Sequence, residues 1–136
     1  MIVVMEKRKK VYTLLILSVA WAILIFVLCA LPSNDLPNVK IPYFDKIAHF
    51  GIFFIQSVLL SLLFDFQTRK SYFKIIFLST LLVFVYGGFI EILQGNIFSR
   101  SGDIYDLIAD ILGGFLGAIA YPTVLRFYYK FIKKGR

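Results

Sequence analysis

The sequence predicts an all-α fold, namely a four-helix transmembrane bundle with both termini in the cytoplasm. Of its 136 residues 60% are hydrophobic, well above the ~45–50% of soluble domains, and the mean hydropathy is +0.82. A membrane span needs about 20 residues, and the sequence contains four apolar runs of roughly that length. We therefore expect one integral membrane domain over residues 1–136, with spans at about 11–31, 47–64, 75–93 and 104–125.

The first run, 11–31, contains no charged residue and follows the basic segment "EKRKK". A signal peptide also begins with basic residues, but its apolar region is only about 7–15 residues long. We therefore expect a span that is retained in the mature protein. Cys29 is the only cysteine of the chain, which excludes an intramolecular disulfide and a cysteine-based metal site.

The second run holds the only histidine of the chain, His49. Asp45 lies four residues before it, hence on the same helical face, and Gln56 follows on nearly that face. An imidazole can transfer protons near neutral pH, so His49 is a candidate general acid or base. A role as an amphipathic anchor at the level of the lipid headgroups is equally open.

The third run contains a single charge, Glu91, near its end, and Gln94 follows three residues later on the same face. A carboxylate about one turn inside the membrane is costly, and such residues are usually functional. The structural alternative is an interhelical bond from Glu91 to His49, Arg100 or a tyrosine hydroxyl, which would hold the bundle together.

The fourth run begins with three acids on one stripe, Asp103, Asp106 and Asp110. Asp103 is the expected N-cap, and Asp106 lies in the first turn, where the positive end of the helix stabilises a carboxylate. Capping does not reach Asp110, which lies two turns in. The spacing of Gly113 and Gly117 predicts tight packing against another span.

Basic residues mark one side of the membrane. Twelve of the fifteen fall in the N-terminal tail, the loop between the second and third runs, and the C-terminal tail: Lys7, Arg8, Lys9, Lys10, Arg69, Lys70, Lys74, Arg126, Lys130, Lys133, Lys134 and Arg136. Because cytoplasmic flanks collect Lys and Arg, we expect both termini on the cytoplasmic side of the cell membrane, facing anionic lipids. Membrane lipids are the expected partners and nucleic acid is not, because no base-reading groups are evident.

The remaining polar groups belong to the outer ends of three spans. Ionisable residues in spans usually face the bundle interior or a water-filled cavity, so we predict a polar pocket that opens outward. The candidate catalytic residues are His49, Glu91, Asp106 and Asp110, and the candidate substrate-binding residues are Asp45, Lys46, Gln94, Arg100 and Asp103.

Several of these motifs occur together in one known family. They are "DKIAHF" at the start of the second span, the E-x-x-Q of Glu91 and Gln94, then Arg100 and the spaced acids from Asp103 to Asp110, followed by a glycine-rich helix. In this combination, over about residues 42–120, the chain resembles the VanZ-like family of small bacterial membrane proteins. That family takes its name from a member associated with resistance to the glycopeptide teicoplanin, so the resemblance implies a role in the cell envelope.

Two classes of function stay open at this point. In the first, the pocket binds or modifies a cell-envelope or lipid-linked substrate, such as a peptidoglycan precursor, with a contribution to teicoplanin-type resistance. His49 would act as general acid or base, Lys46 and Arg100 would bind a phosphate or carboxylate, and the acids could ligate Mg²⁺ or Ca²⁺, although the sequence requires no cofactor. In the second, the chain is a ligand-sequestering, structural or partner-binding subunit. Enzymatic activity and oligomeric state are left undecided.

Overall fold

The computed structural model describes residues 2–31, 42–68, 71–98 and 102–134. It contains four helices, α1 (Ile2–Ala30), α2 (Phe44–Gln67), α3 (Tyr72–Asn96) and α4 (Ile104–Lys134), and no strand among the described residues. All four are long and apolar enough to cross a membrane. The predicted all-α, four-helix fold is therefore confirmed.

Each helix is longer than the apolar run that predicted it. They have 29, 24, 25 and 31 residues, and at a rise of about 1.5 Å per residue each exceeds the ~30 Å hydrocarbon core of a bilayer. Helices α2, α3 and α4 contain the predicted runs 47–64, 75–93 and 104–125, and α2 and α3 extend beyond theirs at both ends. The surplus turns carry polar and charged residues such as Asp45, Lys46 and Lys130, which suit the headgroup layer.

Helices α2 and α4 form the most extensive contact of the bundle. Two glycines of α4 make it possible: a Cβ atom at Gly113 would overlap the carbonyl oxygen of Phe50, and one at Gly117 would overlap that of Phe54. The two backbones therefore touch directly, as in small-residue packing between membrane helices. The tight packing predicted from the glycine spacing is confirmed.

Helix α1 lies at the side of this pair and packs mainly on α2. Its attachment includes polar bonds as well as apolar contact. Trp21 Nε1 donates to the carbonyl oxygen of Ile52 at 2.8 Å, and the hydroxyl of Tyr86 donates to the carbonyl oxygen of Ala22 at 2.6 Å. Such bonds matter in a bilayer, where apolar contact between helices has no advantage over contact with lipid.

Successive helices run in alternating directions. The ends of α1 and α3 and the starts of α2 and α4 meet at one end of the bundle, here called the site end. The start of α1 and the end of α4 meet at the opposite end, where the Lys10 ammonium lies 5.7 Å from the ring centre of Tyr129. The alternating direction of the helices thus brings the polar ends of α2, α3 and α4 to one place.

Candidate functional site

His49 and Asp110 form a buried pair at the site end. Their side chains are 4% and 0% exposed, and His49 Nδ1 lies 2.9 Å from Asp110 Oδ1. An ionised carboxylate can only accept hydrogen bonds, so with Asp110 ionised the Nδ1–H group donates and Nε2 is left as the acceptor of the ring. A carboxylate that fixes the orientation and tautomer of an imidazole in this way prepares it to take a proton from a substrate.

Glu91 brings α3 to the same cluster. Its Oε1 lies 3.9 Å from His49 Nδ1, and its Oε2 accepts a hydrogen bond of 2.8 Å from the backbone N–H of Asp103. The sequence predicted an interhelical bond as one alternative, but to a side chain. The observed donor is a backbone group at the start of α4, which no residue pattern could identify. Glu91 therefore both ties α3 to α4 and places one oxygen beside His49.

Lys46 connects the starts of α2 and α4. Its ammonium lies 2.7 Å from Asp103 Oδ2 and 3.0 Å from Asp106 Oδ1. Hydrogen bonding to Lys46 holds the pKa of Asp103 below its usual value. Asp103 Oδ1 accepts from the backbone N–H of Tyr105 at 2.8 Å, which confirms its predicted N-cap role. A substrate anion that binds Lys46 would have to share it with two carboxylates.

Two carboxylate oxygens in the cluster have no partner. Glu91 Oε1 and Asp110 Oδ2 are buried and make no hydrogen bond with any described residue. The second of them packs directly against Gly87, one turn before Glu91 on α3, since a Cβ atom there would lie 2.7 Å from Asp110 Oδ2. A buried carboxylate oxygen without a partner is costly, which makes this corner a candidate binding site.

Two overlapping sets of side chains at the site end could hold a metal ion. One consists of Asp45, His49 and Asp106, and the other of His49, Glu91 and Asp110, and within each set one ligand atom per residue lies within 4.8 Å of the others. His49 belongs to both sets. Of the predicted catalytic residues, the structure therefore brings all four together: His49, Glu91, Asp106 and Asp110.

The predicted substrate-binding residues are more widely distributed. Lys46 and Asp103 lie at the rim of the cluster as described, and Asp45 is exposed at the start of α2. Gln94 is buried against α1 and donates to the carbonyl oxygen of Cys29 at 3.2 Å. Arg100 lies outside the described residues. The binding roles of these residues remain predictions.

Gln56 has a similar structural contact. It was noted in the sequence because it shares a helical face with His49, but its Nε2 donates to Ser18 Oγ on α1 at 3.0 Å. The amides of Gln56 and Gln94 thus attach α1 to the bundle, whereas the acids and His49 form the cluster. Among the residues that the structure describes, the cluster holds one ammonium and one imidazole together with five carboxylates: Asp45, Glu91, Asp103, Asp106 and Asp110.

Comparison with known proteins gives a family match over most of the chain. The family model described as VanZ/LLP1 matches residues 4–126. An uncharacterised protein of Schizosaccharomyces pombe is 31% identical over 78 residues, which cover 57% of this chain and 46% of the relative. The chain thus spans less than half the length of that curated relative. No solved structure matches the chain.

Proposed function

The chain belongs to the VanZ/LLP1 family, and from that membership and the geometry of the site we propose that it binds and modifies the polar headgroup of a lipid-linked substrate of the cell envelope. The observation that carries the proposal is the buried pair of His49 and Asp110, with Glu91 beside it, in a chain of membrane-spanning helices. A histidine oriented by a carboxylate can act as a general acid or base in catalysis.

The depth of the pair supports a substrate that is itself anchored in the bilayer. Asp110 follows Ile104, the first residue of α4, by six positions, or about 9 Å along the helix axis. Headgroup layers add roughly 5–8 Å on each side of the hydrocarbon core, so the cluster lies near the boundary between the two. A lipid headgroup reaches that level without leaving the membrane, whereas a free water-soluble substrate would have to enter it.

In this proposal each group has a distinct task. His49 Nε2 takes a proton from the attacking group or returns one to the leaving group, and Asp110 keeps the ring in position. Lys46 at the rim attracts a phosphate or carboxylate of the headgroup, and Arg100 is expected to join it. Asp103 and Asp106 hold the Lys46 ammonium in place.

The side of the membrane is part of the proposal. Twelve of fifteen basic residues fall in the first part of α1, between Asp65 and Ile75, or after Leu125, away from the residues of the site end. By the positive-inside rule we therefore expect the termini in the cytoplasm. The site end would face outward, toward envelope precursors. A change to such a precursor would alter susceptibility to glycopeptides of the teicoplanin type.

One observation favours a second candidate, a structural or partner-binding subunit. Lys46 is already paired with Asp103 and Asp106. Such a pairing is expected of acids whose only role is to stabilise the bundle. The unpartnered oxygens of Glu91 and Asp110 do not fit that role, so we favour the enzyme. A ligand-sequestering protein would bind its ligand at the same cluster of side chains without turnover.

The experiment uses the purified full chain in nanodiscs with phosphatidic acid, phosphatidylglycerol or a lipid-linked peptidoglycan precursor, with Mg²⁺, Mn²⁺ or Ca²⁺ present. Mass spectrometry is expected to detect a time-dependent change of the headgroup in one of these lipids. The variant His49→Gln should lower the initial rate by about 100-fold or more, the usual contribution of a general acid or base. The control Asp65→Asn alters a carboxylate at the opposite end of α2 and should retain the wild-type rate.

Three results would count against the proposal. Wild-type protein that is folded but converts none of the lipids contradicts it, and specific binding without conversion would favour sequestration. Full activity in His49→Gln would remove the assigned role of the histidine.

A further inference from the structure

We propose that Glu91 and Asp110 bind a hard divalent cation, Mg²⁺ or Mn²⁺, through the two carboxylate oxygens that have no protein partner. The cation would in turn receive the phosphate of the headgroup, and this second part rests on the proposed function. The site deepens that function, since it explains how an acidic cluster could accept an anionic substrate.

The first argument is that one oxygen of each carboxylate has a hydrogen-bond partner and the other has none. Glu91 Oε2 is held by the backbone N–H of Asp103 at 2.8 Å, and Asp110 Oδ1 is held by His49 at 2.9 Å. The remaining oxygens, Glu91 Oε1 and Asp110 Oδ2, are buried without a partner among the described residues. Metal-binding carboxylates are commonly oriented by such outer hydrogen bonds while their free oxygen holds the ion.

The second argument is burial. The side chains of Glu91 and Asp110 are 10% and 0% exposed. A buried charge is stable only when it is paired or coordinates a metal, and the ammonium of Lys46 is engaged by Asp103 and Asp106. His49 can compensate at most one of the two carboxylates, and only when it is protonated, so at least one buried carboxylate lacks a compensating cation among the described side chains.

The third argument is distance. One ligand atom each of His49, Glu91 and Asp110 lies within 4.8 Å of the others, and oxygens on opposite sides of a Mg²⁺ ion lie roughly 4.2 Å apart because each bond is about 2.1 Å long. The absence of a side chain at Gly87 lets Asp110 Oδ2 lie directly against the α3 backbone, on the helix that carries Glu91. The two carboxylates are therefore close to the separation that a shared Mg²⁺ ion requires.

The donor types select the class of ion. The free ligands are carboxylate oxygens, which suit Mg²⁺, Ca²⁺ and Mn²⁺, whereas Zn²⁺ favours several nitrogen or sulfur ligands. His49 Nδ1 is occupied by Asp110, and Cys29 lies in the apolar core. Because Ca²⁺ takes 6–8 oxygen ligands while Mg²⁺ is typically held by one or two carboxylates together with substrate phosphates, we favour Mg²⁺ and its substitute Mn²⁺.

The test is a titration of metal-stripped protein in detergent with MnCl₂ alone, followed by electron paramagnetic resonance of free Mn²⁺. Wild-type protein is expected to remove about one Mn²⁺ per chain from solution. Glu91→Gln and Asp110→Asn should each weaken binding by about tenfold or more, while Asp65→Asn, at the far end of α2, should bind like wild type. Thermal unfolding without metal identifies any variant that has lost its fold.

A second pair of variants leaves both ligands in place. Gly87→Ala puts a methyl group 2.7 Å from Asp110 Oδ2, whereas nothing lies within 4 Å of a Cβ atom at Gly88. We expect Gly87→Ala to weaken Mn²⁺ binding and Gly88→Ala to leave it unchanged. Folded wild-type protein that binds no Mn²⁺, or binding that is insensitive to Glu91→Gln, Asp110→Asn and Gly87→Ala, would overturn the site.

The role of the ion toward substrate is measured separately. Short-chain phosphatidic acid is expected to raise the affinity for Mn²⁺, and more so in wild type than in Glu91→Gln. An unchanged affinity would overturn the bridging role. The Mn²⁺ titration contains no lipid, so a negative result there argues against the ion site and not against the proposed lipid chemistry. Conversely, an absence of lipid conversion argues against the proposed function and not against an ion site that the titration has shown.

Discussion

Asp110 is the residue whose position requires the most explanation. It lies two turns inside a helix that otherwise suits a membrane, and its side chain is fully buried. Capping of α4 is performed by Asp103, whose Oδ1 accepts the N–H of Tyr105. Asp110 instead holds His49, and Gly87 on α3 gives it room. A carboxylate is costly in an apolar environment. Because Asp110 holds a histidine and lies beside a second acid, we assign it to the site.

Asp103 combines two tasks that substitution can separate. Asparagine caps a helix about as well as aspartate, so Asp103→Asn should keep the cap and lose only the ion pair with Lys46. Asp103→Ala should lose both. We therefore expect the midpoint of thermal unfolding in detergent to fall in the order wild type, Asp103→Asn, Asp103→Ala.

The control for this series is Asp45→Ala, which removes an exposed acid at the start of α2. Its midpoint should lie closer to wild type than that of Asp103→Ala. Equal midpoints for the two Asp103 variants would mean that the cap contributes nothing measurable.

At the scale of elements, the pairing of α2 with α4 positions the site. His49 and Asp110 lie on these two helices, and the contact beside them has no side chain between the backbones at Gly113 and Gly117. A shift of either helix by the width of a methyl group would separate Nδ1 from Oδ1. The glycines therefore act on the site through helix position.

We accordingly expect Gly113→Ala and Gly117→Ala to destabilise the bundle by about 1–3 kcal/mol each, the usual cost of overpacking. The added Cβ atoms meet backbone carbonyl oxygens of Phe50 and Phe54, which cannot rotate away. Unfolding in a mild detergent with increasing dodecyl sulfate, followed by circular dichroism, measures the change.

Gly51→Ala on α2 is the matched control, because nothing lies within 4 Å of a Cβ atom there. It should be neutral or slightly stabilising, since alanine has the higher helix propensity. Wild-type stability in Gly113→Ala would show that the helices separate more easily than their contact indicates.

At the scale of the whole molecule, the two ends of the bundle differ in charge. The end with the start of α1 and the end of α4 collects most of the basic residues, whereas the site end carries Asp45, Glu91, Asp103, Asp106 and Asp110, with Glu6 and Asp65 at the opposite end. This asymmetry is the basis of the proposed orientation, with the site end outward.

The orientation can be measured with single cysteines in a Cys29→Ala background. Tyr43 is 76% exposed at the site end, and Ser71 is exposed between α2 and α3 at the opposite end. A membrane-impermeant maleimide added to intact cells is expected to label Tyr43→Cys and to leave Ser71→Cys unlabelled until the cells are opened. The reverse pattern would place the site in the cytoplasm.

The sequence by itself determined the fold class and the number of helices, because apolar runs of span length can be stable in a bilayer only as helices. It also identified the acids and the histidine, since each is costly in such a run and therefore conspicuous. The residue type and position of Asp103 at the start of the fourth run predicted the cap, and the spacing of Gly113 and Gly117 predicted close packing; both predictions are confirmed.

Only the tertiary structure decided which polar residues meet. His49 and Gln56 share a helical face, but His49 contacts Asp110 on α4 and Gln56 contacts Ser18 on α1. The shared face does not reveal this difference, because the residues on the neighbouring helices change along the length of α2. The bond from Glu91 to the backbone N–H of Asp103 has no sequence signal at all, since every residue but proline carries that donor. Contacts between helices depend on their rotation and relative height, which residue spacing along one helix does not specify.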